Sequence, residues 1–115
     1  MEFKFEKTGG VLLVGTFGEL DHHNAAPLRE AVDKEMLSGG AVDMVIDLSR
    51  LELMDSSGIG VIMGRLRLVQ SLGGRLCVSG ASRSIRKIIE LSGLGKLVIL
   101  CDTAAEAVKI LKGGR

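Results

Sequence analysis

Leu53-Met54-Asp55-Ser56-Ser57-Gly58-Ile59-Gly60 joins two different hydrophobic patterns. Upstream, Val42 to Leu48 is a mostly apolar run bounded by turn residues, the composition of a central strand covered on both faces. Downstream, Ile59, Ile62, Met63, Leu66 and Val69 follow the i, i+3, i+4, i+7 spacing of one buried helical face. The polar cluster between them places two hydroxyls and a carboxylate at the helix N-terminus. Asp and Ser there are ordinary N-cap residues, contributing about 1 kcal/mol. The same position also favours an anion, because first-turn N–H groups lack partners and the positive end of the helix dipole lies there. Ser56 and Ser57 are therefore candidates both for capping and for carrying a phosphate, and local pattern alone leaves both roles open.

Working outward, the same alternation recurs. Phe3 and Phe5 alternate with polar residues, Gly9-Gly10 interrupts, and Val11 to Phe17 runs extended, so the N-terminus reads as a β-hairpin. Asp21 to Asn24 offers helix caps ahead of Pro27, and Leu28, Val32 and Met36 form a helical stripe that stops at Ser38-Gly39-Gly40. Beyond the central helix, Gly73-Gly74 ends the run and Arg75 to Ser79 supplies a short strand. A helix through Ile85, Ile88 and Ile89 ends at Gly93. Lys96 to Leu100 is the last strand, and Ala104 to Leu111 the last helix, with Val108 and Leu111 on its inner face. The order predicts an α/β fold: a mainly parallel sheet, an antiparallel N-terminal hairpin and about four helices.

The chain length of 115 residues and a 46% hydrophobic content suit one domain spanning 1–115 with one core. Fifteen Lys and Arg against 14 Asp and Glu give a net charge of +1, without the basic footprint of a nucleic-acid binder. Tyr and Trp are absent and Phe occurs three times, which removes stacking platforms for single strands. Direct nucleic-acid binding is not expected, and proteins or small molecules are the expected partners. Cys77 and Cys101 lie in separate apolar runs with no metal or redox spacing, which predicts inert core thiols in a reducing compartment. The N-terminal apolar stretch is too short for a membrane span or a signal sequence, so a cytoplasmic protein without membrane attachment is expected.

Catalytic readings find little support. Asp21-His22-His23 and Ser56 contain the residue types of a hydrolase, but no G-x-S-x-G elbow is present and adjacent histidines generally diverge. The same pair lacks metal-ligand spacing, and neither cysteine is near it in sequence. Gly58-Ile59-Gly60 followed by Gly64 approaches a dinucleotide fingerprint, but its last glycine is one residue late and no first β-α-β unit precedes it. These glycines fit close packing and a tight helix entry. No catalytic residue, metal or cofactor is expected.

Three motifs in order carry a resemblance: Gly18-Glu19-Leu20-Asp21-His22-His23, Asp55-Ser56-Ser57-Gly58-Ile59-Gly60 and Ser92-Gly93-Leu94. Together they resemble the STAS-domain anti-sigma factor antagonists, and most of all the sporulation members that act on the anti-sigma-F factor. The resemblance implies a STAS fold and a non-enzymatic anti-anti-sigma factor. Such proteins bind an anti-sigma factor that is also a serine kinase, release the sigma factor, and are inactivated by phosphorylation. The modified residue follows the motif aspartate and corresponds to Ser56, and a PP2C-type phosphatase reverses the modification. Asp21, Asp55, Ser56, Ser57 and Gly58 are thereby implied as partner-binding residues. The alternative within the same fold is a STAS regulatory subunit of a membrane transporter or lipid-transport complex.

Overall fold

The computed structural model describes residues 1–113, so the expected 1–115 domain ends two residues beyond the described part. Strand β1 (Glu2–Thr8) turns at Gly9-Gly10 into β2 (Val11–Leu20), its antiparallel partner. Then follow α1 (Ala25–Leu37), β3 (Asp43–Met54), α2 (Ser56–Ser71), β4 (Leu76–Ser79), α3 (Arg83–Leu91), β5 (Ile99–Cys101) and α4 (Ala104–Gly113). The sheet order is β1-β2-β3-β4-β5, and every pairing after the hairpin is parallel. The sequence-derived order of strands and helices is the observed one.

Each crossover moves one strand further in the same direction. With the right-handed connections that chirality favours, α1, α2 and α3 therefore share one face of the sheet. Their buried residues, including Leu28, Val32, Ile62, Leu66, Val69, Ile85 and Ile89, pack with Leu12, Val14, Met44, Ile46 and Leu48 from the strands. Helix α4 follows the last strand and covers the opposite face, where Ala107 and Leu111 meet Val11, Val45, Cys77 and Cys101.

Several boundaries differ from the sequence reading for identifiable reasons. The central strand continues past Leu48 to Met54. Between Gly15↔Asp47 and Phe17↔Arg50, and again between Gly18↔Leu51 and Glu19↔Leu53, β3 spends one residue more than β2. These bulges convert the two-residue alternation into the three-residue spacing of buried Leu48, Leu51 and Met54, so the extension does not read as a strand. Strand β2 likewise continues to Leu20 rather than stopping at Phe17. Lys96 closes a 3₁₀ turn over Leu94–Lys96, entered through Gly93 at φ 80°, and β5 starts only at Ile99. On α4, Val108 and Leu111 both pack on the inner layer as expected, Leu111 fully buried and Val108 half-buried, and the fully buried Ala107 joins them. The buried face of α2 is rotated from the expected stripe: Ile59 and Met63 are half-buried, whereas Val61 and Arg65 are buried.

The cysteines also differ in one respect. Separate in sequence, Cys77 on β4 and Cys101 on β5 share the layer beneath α4 and interact there. Burial, reinforced by Cys101, pushes the Cys77 thiol up to about 12, and burial raises Cys101 as well, so neither is a ready thiolate at neutral pH.

Candidate functional site

The long pairing of β2 with β3 ends at Leu20↔Met54, so both strands release their loops side by side. Asp21–Asn24 leads into α1 and Asp55 leads into α2. The backbone N–H of Asp55 donates to the Leu20 carbonyl at 3.2 Å, which joins the two exits directly. Two motifs far apart in the chain thus meet at the carboxyl ends of neighbouring parallel strands.

Asp55 is the N-cap of α2. Its Oδ1 accepts from the Ser57 N–H at 2.8 Å, and its Oδ2 accepts from the His22 N–H at 3.3 Å. The Ser57 backbone bond is the main cause holding this carboxyl below the ordinary carboxylate range, with the His22 N–H adding to it and partial desolvation opposing. On the other loop, the Asp21 carboxylate accepts from the N–H groups of His23 at 2.9 Å and Asn24 at 3.3 Å. The Asn24 side chain does not cap α1; its Oδ1 accepts from the Asp21 N–H at 2.8 Å, and its amide donates to the Glu19 carbonyl at 2.6 Å. The result is a loop closed by its own side chains.

The two serines are not equivalent. Ser56, the first helical residue, is exposed, and among the described residues its hydroxyl makes no hydrogen bond. Ser57 is half-buried, its hydroxyl interacts with Asp55, and it lines a groove of ≈ 400 Å³ between α1 and α2 together with His22, Arg29 and Ala25. Gly58 is buried beneath the turn rather than displayed on it. A Cβ at that position would collide with the Met54 side chain and lie 3.2 Å from Leu20 Cδ2, so its lack of a side chain lets the first turn of α2 close onto the ends of β2 and β3. The third motif, Ser92-Gly93-Leu94, lies in the α3–β5 connection. There Ser92 Oγ accepts from the Leu94 N–H at 3.2 Å and Leu94 is fully buried, which makes it a structural turn.

Sequence reasoning missed Arg65. It is 6% exposed on the buried side of α2, and its Nε lies 2.8 Å from Asp33 Oδ1 on α1. The remaining guanidinium nitrogens donate to Asp33 Oδ2 at 3.3 Å and to the Val61 carbonyl at 3.2 Å. The available signal was its position, four residues after Val61 and three after Ile62. This pair ties α2 to α1.

Chemically, the site presents an exposed hydroxyl at the positive end of a 16-residue helix, next to the capping carboxylate of Asp55, with the Asp21 carboxylate in the adjoining loop; both carboxylates are engaged with backbone N–H groups. The His22 and His23 rings meet each other edge to face at 5.5 Å, in place of the divergence expected of adjacent histidines, and neither is hydrogen-bonded to Ser56 among the described residues. No group of three or more potential ligands is assembled for a metal ion among the described residues. Nor is any described helix long and apolar enough to cross a membrane.

Residues 2–107 match the STAS domain model, and the chain belongs to the STAS-domain family. Within it, the chain is similar to the anti-sigma F factor antagonist of Paenibacillus polymyxa, with 33% identity over 112 residues, 97% of this chain and 96% of that protein. Its fold matches the anti-sigma factor antagonist SpoIIAA in its unphosphorylated form, with a TM-score of 0.86 and 32% identity over 97% of each chain. It also matches the Bacillus cell fate determinant SpoIIAA in the phosphorylated form, with a TM-score of 0.75 and 32% identity over 94% of this chain and 97% of that one.

Proposed function

We propose that this chain is a phosphorylation-controlled anti-anti-sigma factor working as one STAS domain. It binds a cognate anti-sigma factor with serine kinase activity and so releases a sigma factor. Phosphorylation on Ser56 inactivates it, and a PP2C-type phosphatase restores it. The reading is supported by a full-length relative named an anti-sigma F factor antagonist and by SpoIIAA structures in two phosphorylation states. It places the protein in the cytoplasm, in a sporulation-type switch.

The observation that carries it is the difference between the two serines. An exposed, unengaged hydroxyl at Ser56 is accessible to a kinase, whereas Ser57 is half-buried and engaged with Asp55. A phosphoryl group adds about −1.5 to −2 charges. The helix dipole tolerates that charge, so the fold is expected to persist, while Asp55, Asp21 and any acidic partner surface repel it. Each 1.4 kcal/mol lost at the interface weakens binding about tenfold.

The test is incubation of the purified protein with its cognate anti-sigma kinase and ATP, with phosphate mapped by mass spectrometry in the wild type, Ser56→Ala and Ser57→Ala. One phosphate, lost only in Ser56→Ala, is the expected result. Absence of phosphate with an active kinase, or phosphate on Ser57, would overturn the assignment.

A further inference from the structure

Asp55 makes more bonds than a helix cap requires. Capping α2 uses the Ser57 N–H on Oδ1; the bond from the His22 N–H to Oδ2 and the bond from its own N–H to the Leu20 carbonyl instead reach across to the β2–α1 loop. Asp21 lies between Leu20 and His22, and its carboxylate is turned back onto His23 and Asn24 of the same loop. The imidazoles of His22 and His23 are exposed and give the loop no buried anchor. Besides the backbone bond to Leu20 and the loop's own Asn24 bonds, the Asp55 carboxylate ties the His22 side of this loop to the first turn of α2.

Resting on the function proposed above, we infer that Asp55 is a positioning residue for partner recognition rather than a partner contact. By clamping the Leu20–His22 backbone to the first turn of α2, it presents Asp21 and Ser56 as a single preorganised surface. A partner then meets both groups already in register and need not order the loop on binding, which is where preorganisation yields affinity. The capping and clamping roles are separable. Ser is also a strong N-cap residue, but it carries one side-chain oxygen where Asp has two, so Asp55→Ser retains a cap and the backbone bond to Leu20 while losing the bond from the His22 N–H.

The experiment is calorimetric titration of the unphosphorylated protein with its cognate anti-sigma factor, for the wild type, Asp55→Ser, Asp21→Ala and the double variant, with backbone amide NMR of each free protein. Asp55→Ser is expected to weaken binding about tenfold, the scale of one hydrogen bond to a charged group, while shifting the His22 to Asn24 amide resonances. In the Asp21→Ala background the same change is expected to cost less than about twofold, because the residue it positions is gone. Equal losses in both backgrounds would show a direct partner contact and overturn the inference while leaving the proposed site intact. Unchanged affinity in Asp55→Ser despite shifted His22 amides would also overturn it. Wild-type affinity in Asp21→Ala would remove the Asp21 surface itself, and the inference with it. Asp55→Asn, of the same size but with one acceptor oxygen, replaces the serine variant if that fails to fold and is read by the same criteria.

Discussion

Asp55 and Arg65 belong to the same helical segment, one at its mouth and one on its flank, and their charges are handled in opposite ways. Asp55 stands near the surface, and its carboxylate accepts from the backbone N–H groups of Ser57 in its own helix and His22 in the neighbouring loop, with the Ser57 hydroxyl beside it. Arg65 is withdrawn from water, and its charge is met by Asp33 on the neighbouring helix. Burial pulls the guanidinium below its ordinary value, while Asp33 acts in the other direction. The first arrangement leaves the charge near the surface where a partner arrives. The second uses charge to lock two helices, at the cost that neither member can be removed alone. On the function proposed above, one end of the helix serves recognition, while its flank is tied to the neighbouring helix.

The contrast can be broken at either place. The largest effect is expected from Ser56→Asp, which adds charge at the recognition end. Affinity for the anti-sigma factor should fall by about 100-fold or more by calorimetry, with the melting temperature nearly unchanged. Full retained affinity would sink the switch account. Arg65→Ala should do the reverse, costing about 2–3 kcal/mol in denaturant unfolding, toward the low end for a broken buried pair because Asp33 is partly exposed. Replacing both partners, Asp33→Leu with Arg65→Met, should recover most of that loss, since no unpaired charge is then left at the helix contact.

Between these sits Gly58→Ala, which forces a methyl group against Met54 and Leu20 and should destabilise the protein by about 1–3 kcal/mol. A smaller effect separates the two charges by pH. Because the folded state holds the Asp55 carboxyl below its ordinary value, its contribution to stability is complete above the unfolded carboxylate range and is lost as pH falls through the lower folded value. Acid unfolding of Asp55→Asn should therefore be less steep than that of the wild type across that window, whereas Arg65 does not titrate there. The smallest change is expected for Ser57→Ala, with stability within about 0.5 kcal/mol of the wild type by thermal melting, because Asp55 caps the helix through the Ser57 backbone N–H, which alanine retains.

The parts of this arrangement that were legible in the sequence are those carried by local pattern. Alternation marked the hairpin, the stripe of Leu28, Val32 and Met36 marked α1, and Gly73 and Gly93 marked helix ends because both backbones turn left-handed there. The end of β3 was not legible: two bulges change its side-chain period, and that change is visible only against its partner strand. Arg65 was invisible for a related reason. A cation on an apolar helix face reads as a solvated interruption until the opposing helix supplies Asp33.

By itself, the sequence determined the α/β order of elements, the position of the Asp55-Ser56-Ser57 turn at a helix start and the family resemblance, since each depends on residues close together in the chain. Only the tertiary structure decided that Asp21 belongs beside that turn, that Ser56 is exposed while Ser57 is engaged, and that Gly58 lies beneath the site. Those facts arise where parallel strands β2 and β3 end side by side, and backbone hydrogen bonds between residues distant in sequence depend on register, which no local pattern records.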